Sequence, residues 1–206
     1  MSVQEISLPA SGDKLATTAI ALRRLGIIGM ICAPGLYFGS FFYSQNFDQP
    51  NPNQIYASLL GALYLCGALA SAIAMRQMRV TGNGLGAKIL FGVQIVGLFL
   101  AMMFDVIEYA APSLKQTWLF FVTDMAYPFS HVLMIVVGIA IVRAGVWSGW
   151  RRVPAFLIGF ALPLFFAASA VFSRENTGWI FIGSVTLGFF ALGLAVFNAN
   201  QKEIKQ

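Results

Sequence analysis

The chain has 206 residues, of which 58% are hydrophobic and only 10% are charged, and its formal net charge is +5. An ordinary soluble domain has about 25% charged residues, so this composition excludes that class of protein. The positive charge does not indicate nucleic-acid binding, because the basic residues lie at the ends of apolar blocks and not in one patch. No separate soluble catalytic domain fits, since the longest polar stretch is the segment 1–14.

Six long apolar blocks, separated by short polar breaks, predict an all-α polytopic membrane protein, a six-transmembrane-helix bundle. We expect residues 1–24 to form a cytoplasmic tail and interfacial segment, 25–198 the transmembrane domain and 199–206 a second cytoplasmic tail. The amino-terminal tail lacks the pattern of a secretory signal peptide. The predicted spans are 25–43, 55–75, 89–109, 118–142, 153–172 and 177–197.

The distribution of basic residues predicts the orientation of the bundle. Among the lysines and arginines, only Lys115 and Arg174 fall on one side of the predicted membrane, and the rest fall on the other. By the positive-inside rule, both termini are expected in the cytoplasm. Tryptophans mark the two predicted interfaces, the outer one at Trp118 and Trp179 and the inner one at Trp147 and Trp150.

Proline and small residues predict how the spans bend and pack. Pro34 predicts a kink in the first span and Pro163 predicts one in the fifth. Gly35 and Gly39 have the GxxxG spacing that lets another helix approach closely. The second half of the second span has a surface suited to the same kind of packing, formed by Gly67, Ala68, Ser71, Ala72 and Ala74.

The fourth predicted span carries an unusual polar stripe. Asp124, Tyr127 and His131, the only histidine of the chain, fall on one helix face at i, i+3 and i+7. Pro128 cannot donate a hydrogen bond to the carbonyl of Asp124, so a bend and a free acceptor are expected there. Ionisable groups inside a membrane are costly, and they usually face a partner or a cavity. We therefore expect these three side chains to bind a ligand, with Tyr127 bridging the other two.

The third span adds two carboxylates to this set. Asp105 and Glu108 share a face near its end, at a depth comparable with Asp124, so the third and fourth spans are expected to be antiparallel neighbours. The predicted ligand-binding residues are thus Asp124, Tyr127, His131, Asp105 and Glu108. A structural alternative stays open, in which the carboxylates are wetted near the headgroups and a neutral His131 hydrogen-bonds another helix.

Residue counts exclude several kinds of chemistry. One histidine cannot supply a multi-histidine metal shell, and no metal site is expected. His131 with a methionine is a conceivable haem pair, but methionines more often fill cores, so no cofactor is assigned. Cys32 and Cys66 lie in different spans without a CxxC motif, which argues against thiol redox chemistry. No mid-membrane lysine supports a retinal Schiff base, and no Gly-rich phosphate loop is present.

The run Gly138 to Val146, GIAIVRAGV, is followed by Trp150-Arg151-Arg152 and an apolar span. This segment resembles the end of the fourth helix in uncharacterised small bacterial integral membrane proteins. The resemblance covers about a fifth of the chain. It implies a multi-pass protein of the bacterial inner membrane, and it brings no activity or functional residue with it.

Three functions remain in view from the sequence. The first is binding or transport of a small molecule, ion or lipid through a cavity lined by the fourth span. The second is a membrane-embedded enzyme that acts on a lipid or quinone-like substrate with His131 or Asp124 as general acid or base. The third is a non-catalytic subunit, paired with itself or with a membrane partner. The lack of a nucleophile or metal shell favours a protein that is not an enzyme. Its expected partner is the lipid bilayer, and no nucleic acid is expected to bind.

Overall fold

The computed structural model describes residues 11–42, 53–172 and 174–199, with the backbone alone for residues 11–16 and 174–176. These parts of the chain are helical and contain no strand. Short 3-10 turns lie at Pro112–Leu114 and Gly149–Arg152. The α-helices are α1 (Ser11–Cys32), α2 (Pro34–Ser40), α3 (Gln54–Gln77), α4 (Leu85–Ala110), α5 (Trp118–Ala144), α6 (Val153–Ser169) and α7 (Arg174–Phe197).

Six helical segments of the described chain are long and apolar enough to cross a membrane, which agrees with the six-helix prediction. The first is built from α1 and α2 together, because the helix is interrupted at Ala33, immediately before Pro34. Here the break falls where the sequence predicts a kink. The segments are Thr17–Ser40, Gln54–Gln77, Leu85–Ala110, Trp118–Ala144, Gly149–Ser169 and Thr177–Phe197.

The sequence predicts a first span from residue 25, after an interfacial segment. In the structure, α1 is one continuous helix from Ser11, and the apolar segment of the first span begins at Thr17. Leu22 is only 1% exposed, so this part of α1 already packs into the bundle. Arg23 and Arg24 lie on the exposed side of the same helix, where their long side chains extend away from the core.

Two prolines lie inside helices without interrupting them. Pro128 is within α5 and Pro163 within α6, and both helices run on through the proline. A proline removes one hydrogen bond of the helix, but the bonds on either side remain, and neighbouring helices support the segment in an apolar environment.

The six spans form a closed ring in which each helix packs against the next one in the sequence, and α7 closes the ring against the first span. The helices α4 and α5 are packed neighbours, as the sequence predicts for the third and fourth spans. Helix α3 also contacts α7 across the middle of the ring. The side chains that α3, α4, α5 and α7 direct inward therefore meet in one interior.

Glycines set the closest helix contacts. A Cβ on Gly26 would lie 2.6 Å from the backbone nitrogen of Phe197, and one on Gly193 would lie 2.7 Å from that of Met30. The backbones of the first and last spans touch at this point, with no room for a side chain. Gly35, predicted as a packing residue, does face another helix, since a Cβ there would lie 2.5 Å from the carbonyl oxygen of Leu60 on α3.

The two ends of the ring interior differ in polarity. The arginine end, where α3 and α5 finish near Arg76 and Arg143, is closed by large apolar side chains that are at most 1% exposed, namely Met75, Met78, Val80, Ile141 and Trp147. The opposite end, where α4 finishes and α5 begins, carries Lys115 and is called the Lys115 end here. The buried ionisable side chains, Glu108 and His131, lie between this end and the middle of the bundle, whereas Ser71 and Gln94 are buried nearer the arginine end.

Candidate functional site

Helix α5 supplies the central residues of the site, and both of its ends are capped. Thr117 caps the amino terminus by accepting a hydrogen bond from the backbone nitrogen of Phe120 at 3.5 Å. At the other end, Gly145 has a φ of 69°, the left-handed conformation that commonly terminates helices. Between these caps, the inward face holds Ala126, Ser130, His131 and Met134 among others.

His131 makes two hydrogen bonds in the interior of the bundle. Its Nδ1 lies 2.8 Å from the backbone carbonyl oxygen of Tyr127, and its Nε2 lies 3.2 Å from the hydroxyl oxygen of Tyr64 on α3. A carbonyl oxygen only accepts, so Nδ1 must carry the hydrogen and donate it. In a neutral imidazole, Nε2 is then the acceptor, and the Tyr64 hydroxyl donates to it. The histidine, only 1% exposed, is thereby held in one orientation.

Aromatic rings surround this histidine, and we call them the aromatic enclosure. The ring of His131 lies 4.4 Å from that of Tyr127, 5.9 Å from Phe181 and 6.2 Å from Phe189, measured between centroids. Tyr64 completes the set, with its ring 5.3 Å from Phe189 and 6.4 Å from Tyr127. The enclosure thus joins α3, α5 and α7 around one imidazole.

Asp105 lies between the aromatic enclosure and the Lys115 end. Its carboxylate packs against Gly61 of α3, where a Cβ would lie 2.9 Å from both carboxylate oxygens. Asp105 is close enough to interact electrostatically with Tyr64 and with Tyr127. Within the described part of the chain, no lysine or arginine forms an ion pair with it.

Two further carboxylates lie nearer the Lys115 end. Glu108 is 9% exposed, and one of its oxygens lies 3.7 Å from Nζ of Lys115, which is itself well exposed. Glu108 is also close enough to Asp124 for the two carboxylates to repel each other. Asp124 is half-buried at the edge of α5. Ionisable side chains therefore extend from this end of the bundle to the aromatic enclosure.

The structure divides the five predicted ligand-binding residues into two groups. Tyr127 and His131 meet in the aromatic enclosure, with Asp105 beside them. Glu108 and Asp124 stay near the Lys115 end. Tyr127 contacts His131 through its ring and its carbonyl oxygen, and no hydrogen bond from its side chain to Asp124 is present among the described contacts.

Sequence reasoning missed Tyr64, the partner of His131. Tyr64 lies ten residues after Gln54, the first residue of α3, which puts it about 15 Å along the helix axis. Tyrosines of membrane proteins concentrate at the interfaces, so a tyrosine at this depth was a detectable signal. Phe181 and Phe189 carried no such signal, because phenylalanines are common throughout the predicted spans.

Several buried polar side chains have no hydrogen-bond partner within the described residues. Gln94 is 0% exposed, and neither its amide nitrogen nor its oxygen is bonded. The hydroxyl groups of Ser58 and Ser130, at 6% and 1% exposure, are also unpartnered. Unpaired buried polar groups cost free energy unless a bound molecule satisfies them.

A separate apolar groove of about 640 Å³ lies on the outer surface between α4 and α5, with Gly92, Gly97 and Ala126 among its lining residues. Behind it, the Ser130 hydroxyl packs directly against Gly97, where a Cβ would lie 2.5 Å away. The groove therefore does not open into the aromatic enclosure.

The described residues form neither a metal-binding cluster nor a disulfide. No group of three or more His, Cys, Asp or Glu side chains is placed to hold a metal ion there. Cys32 and Cys66 are both free, and the Cys66 thiol contacts the sulfur of Met102 at 3.7 Å.

Comparison of the chain with protein-family models, with curated proteins and with solved structures finds no match in any of the three.

Proposed function

We propose that this chain is a membrane-embedded binding protein or transporter for a small molecule. Its ligand reaches the bundle interior from the Lys115 end and is held at the aromatic enclosure by Tyr64, Tyr127 and His131, with Asp105 beside them.

The hydrogen bond between Tyr64 and His131 carries this proposal. It joins two fully buried side chains of different helices, and His131 is about 20 Å along α5 from Trp118, well inside a hydrocarbon layer of about 30 Å. Polar groups at that depth are costly, and they commonly mark a substrate or ion pathway. The side chains of Asp105 and Glu108 extend the polar region toward the Lys115 end.

The closed arginine end favours a one-sided binding site. Met75, Met78 and Trp147 are buried there, which favours entry of a ligand from the Lys115 end. If the protein is a transporter, these apolar side chains must move apart to release the ligand at the arginine end. A static binding protein would not need that movement.

The proposed orientation follows from the charges. The positive-inside rule places the arginine end and both termini in the cytoplasm. The resemblance of the segment 138–152 to small bacterial membrane proteins favours the bacterial inner membrane. The Lys115 end would then face the periplasm, and the ligand would arrive from outside the cell.

The test is untargeted mass spectrometry of small molecules that copurify with the protein in nanodiscs. We expect at least one compound to be enriched with the native protein and lost with Tyr64→Phe and with His131→Leu. The control is Tyr109→Phe, because Tyr109 is 52% exposed and outside the site. Equal enrichment in all four proteins would refute the proposed site, provided that each variant is monodisperse and helical.

A further inference from the structure

The charge balance at the Lys115 end points to the class of ligand. Among the side chains described there, Asp105, Glu108 and Asp124 are carboxylates, and Lys115 is the cation. A carboxylate in a low-dielectric interior is costly without a counter-charge. Lys115 approaches Glu108 alone, at 3.7 Å, which leaves Asp105 without a cationic partner in the described chain.

The carboxylate of Asp105 fits closely against α3 because Gly61 has no side chain. Both of its carboxylate oxygens pack against Gly61. Two tyrosines, Tyr64 and Tyr127, lie close enough to interact with the same carboxylate. A positively charged group beside this carboxylate would supply the counter-charge that the described side chains do not.

Ser58 is an independent indication that something binds here. Its side chain is 6% exposed, and its hydroxyl has no partner. Helices α3 and α4 are antiparallel, and two contacts fix their register, Gly61 to Asp105 and Cys66 to Met102. Ser58 lies one turn from Gly61 toward the Lys115 end, on the same face of α3. It is therefore level with Glu108 on α4. Ser58 is thus on the side of α3 that packs against α4.

The chemistry of these groups suits an ammonium group better than a divalent metal ion. Calcium takes six to eight oxygen ligands and magnesium requires six, whereas two carboxylates and one hydroxyl match the three hydrogens of a primary ammonium. Lys115 already places such a group at the edge of the gap, beside Glu108. The side chain of Lys115 thus carries the same ammonium group as the proposed class of ligand.

We propose that Asp105, Glu108 and Ser58 bind the ammonium group of a small organic cation and that Lys115 competes for this site. This inference rests on the proposed function, because it names the class of molecule that the aromatic enclosure would receive. Removal of the competing lysine should strengthen binding, while removal of the Asp105 charge should abolish it.

Isothermal titration calorimetry of the full chain in nanodiscs tests this with ethylammonium chloride as the probe. Sodium chloride at equal ionic strength and empty nanodiscs give the background. We expect saturable binding to the native protein and none to Asp105→Asn. For Lys115→Met, the dissociation constant should fall about two- to fivefold, the range expected for the loss of one exposed ion pair. The matched control is Lys88→Met, which removes a lysine from the arginine end and should leave binding unchanged.

Ser58→Ala provides a second, uncharged variant, with an expected weakening of ethylammonium binding by about threefold or more for one lost hydrogen bond. Undetectable binding to both the native protein and Lys115→Met would overturn the inference, and so would equal binding to native protein and Asp105→Asn. Either result leaves the proposed function standing if a compound is still lost from Tyr64→Phe. Failure of both tests would remove both proposals.

Discussion

Tyr64→Phe is the most direct probe of the site, because it removes one hydroxyl and keeps the ring. The edge-to-face contact with Phe189 at 5.3 Å should survive. The lost hydrogen bond contributes about 0.5–1.5 kcal/mol on average, and an unpaired buried acceptor costs about 1–3 kcal/mol. Measured hydrogen bonds between transmembrane helices average about 0.6 kcal/mol and reach about 1.7 kcal/mol. The Nε2 of His131 has no other partner among the described contacts, so we expect a loss near the upper end, about 1–2 kcal/mol.

Reversible unfolding in mixed micelles, followed by far-ultraviolet circular dichroism, measures this loss. Tyr109→Phe is the control, since its hydroxyl is on an exposed side chain and its removal should change the unfolding free energy by less than about 0.5 kcal/mol. The reasoning would be refuted if the two variants had equal stability. A double-mutant cycle with His131→Leu adds a second criterion, because a coupling energy near zero would mean that the two side chains do not stabilise each other.

Three other substitutions address different parts of the bundle. Gln94→Leu removes an amide with no described partner, so the unfolding free energy should rise by about 1 kcal/mol or more. A comparable fall would show that the amide is satisfied by a bound molecule. Gly193→Val should lower the unfolding free energy by more than about 3 kcal/mol or prevent folding. The control is Gly183→Val on the same helix, which has open space around it and should be tolerated. Equal expression and melting temperature of the two variants would contradict the helix contact. Thr117→Ala should cost about 0.5–1 kcal/mol in the same unfolding assay through loss of the α5 cap, and no change would mean that the cap is already frayed.

The number and type of helices were predictable because the membrane imposes a simple rule on the sequence. A span needs about 20 apolar residues and must satisfy its own backbone, so six apolar blocks give six helices. The start of α1 was not predictable from Arg23 and Arg24, because long basic side chains can extend from a helix that continues. Hydropathy also says nothing about which spans touch, so the contact of α7 with α1 and α3 needed the structure.

The candidate site was predictable only where its residues belong to one helix. Helical periodicity placed Tyr127 and His131 on one face, and the short connection after α4 brought Asp105 to the same end of the bundle. Tyr64, Phe181 and Phe189 come from other helices, and no local pattern relates their positions to that of His131. The orientation of the imidazole likewise depends on Tyr64, whose role became visible only once α3 and α5 were seen together.

The closure of the ring between α1 and α7 has a consequence for biosynthesis. Every other neighbouring pair in the ring is consecutive in the sequence, so each new helix meets its partner as soon as it leaves the ribosome. The surface of α1 around Gly26 instead stays uncovered until α7 has been synthesised. During that interval the α7 of a second nascent chain would fit it equally well, and domain-swapped dimers are the expected assembly error of this protein at high expression.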